Sequence, residues 1–141
     1  MKNHSEVLQE LKIELIQSLE YLEYSFKKIH DKKIPIHSKN PEDLETYEAL
    51  VSRFSRVTDI FISKYLRTVA LNDDPAYSGA LKDWVNYAEK KGVISSASTW
   101  MQIRELRNKI AHEYATRDLA QIFTQVIEHT PFVLDLKRHI S

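Results

Sequence analysis

The chain has no cysteine, only two glycines and four prolines in 141 residues, and no excess of either charge. Without thiols there are no disulfides and no thiolate chemistry. That suits a reducing compartment, and a cytoplasmic location is expected. So few glycines and prolines leave little material for tight turns, which argues against a many-stranded β fold. No apolar run approaches the roughly 20 residues of a membrane-spanning helix, so no membrane contact is expected. The start, Met1-Lys2-Asn3-His4-Ser5-Glu6, turns acidic before any apolar stretch and does not read as a signal peptide. Twenty Lys and Arg balance twenty Asp and Glu. There is thus no global basic field to attract a polynucleotide, and any such contact must use a local patch.

What is present is helical periodicity over a single domain, 1–141, with neither repeats nor low-complexity segments. Leu8, Leu11, Leu15, Leu19, Leu22, Phe26 and Ile29 recur at steps of three or four and make one helical face. Ser5 is the expected cap, and Ile34-Pro35-Ile36 reads as a loop. A second, long helix is expected from Pro41, capped by Asn40, to Asn72-Asp73-Asp74-Pro75, with Leu44, Tyr47, Leu50, Phe54, Val57, Phe61, Tyr65 and Val69 inward. A third carries Leu81, Trp84, Val85 and Ala88 and ends at Lys90-Lys91-Gly92. A fourth, after Ser95-Ser96 or Ser98, carries Trp100, Ile103, Leu106, Ile110 and Tyr114. A fifth follows Asp118 with Leu119, Ile122, Phe123, Val126 and Ile127; Pro131 should bend or end it before a last piece over Val133 to Ile140. About five helices with short links predict an all-α, up-and-down bundle.

The chemistry concentrates in Arg107-Asn108-Lys109-Ile110-Ala111-His112-Glu113-Tyr114. Asn108 and His112, four apart, share a helix line; Arg107 and His112, five apart, stand roughly 140° apart around the axis. One helix therefore does not converge them on a small target, although a second subunit can supply a matching set. RNA cleavage through the 2′-hydroxyl needs a base for that hydroxyl and a proton for the leaving 5′-oxygen, and histidine serves either role near neutrality. A guanidinium stabilises the charge developing on phosphorus. The plainer reading stands beside this: Arg107 pairs with Glu105, Glu113 or a neighbouring helix, His112 is a satisfied inter-helix histidine, and Tyr114 is core edge.

Elsewhere the signals are weaker. Arg53, Arg56, Lys64 and Arg67 punctuate the second helix, either as an RNA groove or as a solvated face; Asp59, three after Arg56, reads as that residue's ion-pair partner. Trp84 and Trp100 fit the core better than base stacking. His4, His30, His37, His129 and His139 form no recognisable metal pair, so neither a metal site nor a cofactor is expected.

The run Trp100 to Tyr114 resembles the signature helix of HEPN domains, in the Arg-x4-His-x-Tyr form of HepT-like toxins, and Ser52 to Ile60 resembles the second helix of that group. The resemblance spans about Leu44 to Phe123 and is specific only at the eight-residue motif. It implies a metal-independent endoribonuclease toxin of a toxin–antitoxin pair, a homodimer with the motif helices face to face, and an RNA substrate. Arg107 and His112 would be its catalytic pair, with Asn108 shaping the site. The implied partner is an MNT-type nucleotidyltransferase, MntA, that attaches AMP to Tyr114. The alternative is a HEPN protein that binds such a nucleotidyltransferase without cutting RNA.

Overall fold

The computed structural model describes residues 1–114 and 118–140, and among these every regular element is a helix. α1 (His4–Asp31) is set going by Asn3, whose side chain accepts from the Glu6 backbone N–H at 2.8 Å. The cap is thus two residues before the expected Ser5, because Asn3 has the extended backbone that a capping side chain requires. Leu11, Leu15, Leu19, Leu22 and Ile29 are buried as the periodicity demands, while Phe26 is only partly covered. The chain turns through Lys33, at φ 49°, and the Tyr47 hydroxyl donates to the Ile34 carbonyl at 2.7 Å, tying the loop to the next helix.

The long second helix exists, but with a change of winding inside it. α2 (Pro41–Thr58) passes without a break into a π-helical segment (Asp59–Tyr65) and on into α3 (Leu66–Asp73). Asn40 caps its start as expected. In the π segment the Leu66 N–H reaches back five residues to the Phe61 carbonyl. The wider turn buries Ile60, Phe61 and Ile62 in succession, which an α-helical stripe does not do. The Trp84 indole N–H donates to the Ile62 carbonyl at 2.8 Å, so Trp84 serves the π turn.

α4 (Leu81–Lys91) ends on Gly92 at φ 84°, a left-handed cap that lacks a steric cost only in glycine. α5 (Ala97–Glu113) is capped by Ser96 and buries Trp100, Ile103, Leu106 and Ile110. Trp100 sits between Phe61 and Phe132, with ring centroids 4.7 and 5.4 Å away. α6 (Leu119–Leu134) starts on Asp118 and runs through Pro131. Of the two outcomes expected at Pro131, bending or ending the helix, ending does not occur there: the proline lies in the last turn, and the Asp135 N–H still bonds its carbonyl at 3.1 Å. α7 (Leu136–Ile140) closes the bundle. No helix among the described residues is long and apolar enough to cross a membrane.

Candidate functional site on the two flanks of α5

Leu106 and Ile110, 6 % and 7 % exposed, hold α5 down on the core and so fix which of its side chains look outward. Arg107 leaves on the flank facing the π segment. Its Nε donates to Asp59 Oδ1 and Oδ2 at 3.0 and 3.1 Å, and its Nη2 donates to Oδ2 at 2.9 Å. This side-on pairing corrects the expected Arg56–Asp59 ion pair: Asp59 is turned across to α5, and the plain alternative of Arg107 bound to a neighbouring helix is what occurs. Both partners keep contact with solvent. They lie in an open groove of about 530 Å³ between α1, α2 and the π segment, whose other walls include Gln17, Tyr21, Arg56 and Lys64. Ser55 also borders this groove, its hydroxyl buried and without a hydrogen-bond partner among the described residues.

The other flank is built differently. Asn108 and His112 lie on one line of α5, as their spacing requires, and Arg104 precedes them by one turn. The Arg104 guanidinium donates through Nη1 to Asn108 Oδ1, while its Nε is buried without a partner. His112 is exposed and makes no hydrogen bond among the described residues, so it is not the satisfied inter-helix histidine of the plainer reading. It lines a shallow hollow with Asn108, Lys109, Glu113 and Gln121. The spacing had put Arg107 and His112 on different sides of the helix, and the fold sets them in two hollows, with Asn108 on the His112 side.

Tyr114 follows the last turn, its N–H bonded to the Ile110 carbonyl at 3.2 Å. The AMP attachment implied by the resemblance would need an accessible phenol. Instead its ring packs toward Phe123, centroids 6.4 Å apart, and Phe123 in turn stacks on Tyr47. The hydroxyl is buried with no hydrogen-bond partner among the described residues. Burial, and after it the Glu48 carboxylate, pushes the phenol from 10.0 up to about 12.

Of the cations expected to line an RNA groove, Arg56 and Lys64 share the groove with Arg107. Arg53 borders an adjoining hollow of about 320 Å³ that shares Ser18, Tyr21, Ser52 and Arg56 with it. Arg53 is anchored to the Ser25 hydroxyl at 2.7 Å, and its guanidinium stands 5.7 and 5.9 Å from the rings of Tyr21 and Tyr24. Arg67 lies away from this surface, against the Trp84 ring.

Residues 39–140 match the family described as ribonuclease HepT-like. The chain belongs to the HepT-like ribonuclease family. Comparison with curated proteins and with solved structures gave no match. The HepT-like region is wider than the resemblance read from the sequence, reaching into the loop before α2 and through α7, and it contains both flanks of α5. Two residues of the candidate site escaped the sequence reading. Arg104 was legible as the next member of the 104, 108, 112 line. Asp59 was not, because 48 residues separate it from Arg107 and a nearer partner was on offer.

Proposed function

We propose that this protein is a metal-independent endoribonuclease that works as a twofold dimer, the toxin of a two-component module. The observation that carries this reading is the division of α5: Arg107 lies in one hollow and His112 in another, so one chain presents each as half a site. Two copies meeting along α5 bring an Arg107 beside the partner's His112 and supply two histidines, one to take the 2′-hydroxyl proton and one to protonate the leaving 5′-oxygen. Arg107 steadies the charge on phosphorus, and Asn108 holds the His112 side of the cleft. Arg56 and Lys64 beside Arg107, with Arg53 next along, supply the local basic surface that a neutral chain needs to hold RNA. The test is cleavage of a mixed-sequence RNA by the wild type, Arg107→Ala and His112→Ala. Products ending in 2′,3′-cyclic phosphate support the reading, and 5′-phosphate ends refute it.

Control by a nucleotidyltransferase that adds AMP to Tyr114 belongs to the same proposal. The added phosphate and nucleoside would bring bulk and negative charge two residues from His112 and repel an RNA phosphate. The buried hydroxyl of Tyr114 favours a second reading, in which the partner covers the cleft without modifying it. A mass measurement after incubation with the cognate nucleotidyltransferase, ATP and Mg²⁺ separates the two: a gain of whole AMP units, absent in Tyr114→Phe, supports modification.

A further inference from the structure

Arg107 is a long side chain with several rotatable bonds, and a cation on such a stem ordinarily sweeps a wide volume. Here it does not have that freedom. Its Nε edge is occupied by both oxygens of Asp59, and only Nη1 and the outer N–H of Nη2 remain for another ligand. Those remaining donors belong to the end of the guanidinium that a phosphate engages in a fork. The groove around them offers Arg56 and Lys64 as further cations, and Glu14 lies on its wall.

Asp59 is itself held. It opens the π segment and lies between Thr58 and Ile60, which are 0 % and 4 % exposed. Thr58 donates its hydroxyl to the Phe54 carbonyl at 2.9 Å, so the backbone beneath Asp59 is fixed on the core. Arg107 stands between Leu106 and Ile110, which are also core residues. The two side chains are thus spanned between fixed points.

We infer that Asp59 is the positioning residue of the ribonuclease site: it grips the side of the Arg107 guanidinium and sets the free end toward the RNA phosphate. The inference rests on the ribonuclease reading above. It carries an internal conflict that makes it measurable. A carboxylate in a groove that takes a polyanion repels the substrate, so Asp59 weakens RNA binding while it aligns the cation that serves the transition state. Its loss therefore moves binding and turnover in opposite directions. A residue that merely stabilises the fold does neither once activity is counted per folded molecule.

The experiment uses the full chain with Asp59→Asn, which keeps the shape and loses the charge, and Asp59→Ser as a second variant should the first fold poorly. The orientation is read without RNA, from proton exchange at the Arg107 Nε–H. That signal is expected to be slow in the wild type and fast or lost in Asp59→Asn. Cleavage is then expected to fall at least tenfold in kcat, with KM unchanged or lower. In an Arg107→Lys background, where no fork remains to be oriented, the same substitution should cost less than threefold. An unchanged Arg107 signal overturns the inference, and so does a kcat that holds or rises. A loss carried wholly by a higher KM also overturns it. A wild-type protein that cuts no RNA brings down the ribonuclease reading and the catalytic meaning of the contact with it. That failure is recognisable, because the Arg107 signal is read in the same protein without substrate.

Discussion

Arg107 and His112 sit five residues apart on one helix and live in different physical worlds. Arg107 is clamped: a carboxylate from a distant helix occupies its side, and a groove of named walls surrounds what is left. His112 is open, in a shallow hollow, with no hydrogen bond among the described residues. The difference suits their proposed tasks. A cation that stabilises a transition state gains from being fixed before the reaction begins, since no reorganisation is then needed. A group that moves protons must be reached by the substrate, and in a single chain nothing yet stands opposite it. On the proposed reading the Arg107 side is already ordered within one chain, and the His112 side would gain its opposing surface from the second copy.

Removing either group is the strongest way to break this comparison. Arg107→Ala and His112→Ala should each lower cleavage at least about a hundredfold with the fold intact, the scale of a lost electrostatic or acid–base contribution. Far-ultraviolet circular dichroism checks the fold. Chelation with EDTA should leave the rate unchanged, because the proposed chemistry uses only side chains. A loss restored by Mg²⁺ or Mn²⁺ refutes it.

The cations beside Arg107 should behave more mildly. Arg56→Ala and Lys64→Ala are expected to raise KM severalfold and to lower the salt slope of RNA binding by about one each, with kcat little affected. A salt titration of RNA affinity makes the check. Equivalent losses from Arg67→Ala, which lies elsewhere, would show that the groove has no special role.

Much of this was written plainly in the sequence, and what was hidden has physical causes. The faces of α1, α4 and α5 follow from steps of three and four, because burial there is a property of one helix at a time. The π segment was not legible: Leu44 to Val69 keeps helical spacing throughout, and the extra residue per turn is imposed by what packs against Ile60, Phe61 and Ile62. The Asp59–Arg107 contact is a tertiary event of the same sort, decided by where two helices cross. Tyr114 is the reverse case. The modification implied by the resemblance needs an exposed hydroxyl, and the neighbouring Phe123 covers it.

That residue supplies the smallest effects. Tyr114→Phe removes a buried hydroxyl that has no partner, so stability should stay within about 1 kcal/mol of the wild type or rise. Its folded pKa, raised from 10.0 to about 12, also sets a sign. Between those values the unfolded chain releases a proton that the folded protein keeps, so stability is full below pH 10 and falls as pH climbs toward 12. Tyr114→Phe should lose less over that interval. Denaturant titrations at pH 9 and pH 11 compare the two, and equal losses would contradict the buried phenol.

The absence of cysteine makes the central claim directly measurable. Ala111 is exposed on α5 between the Arg107 and His112 lines, one turn past Arg107, and a single Ala111→Cys substitution puts one thiol on the outward face between the two flanks. If two chains meet along that face, mild oxidation should convert Ala111→Cys into a covalent dimer, while Lys90→Cys, on exposed α4, stays single-chained. A protein that scatters as a monomer at high concentration, or a dimer in which Ala111→Cys does not cross-link, would contradict a shared site built from two copies of α5.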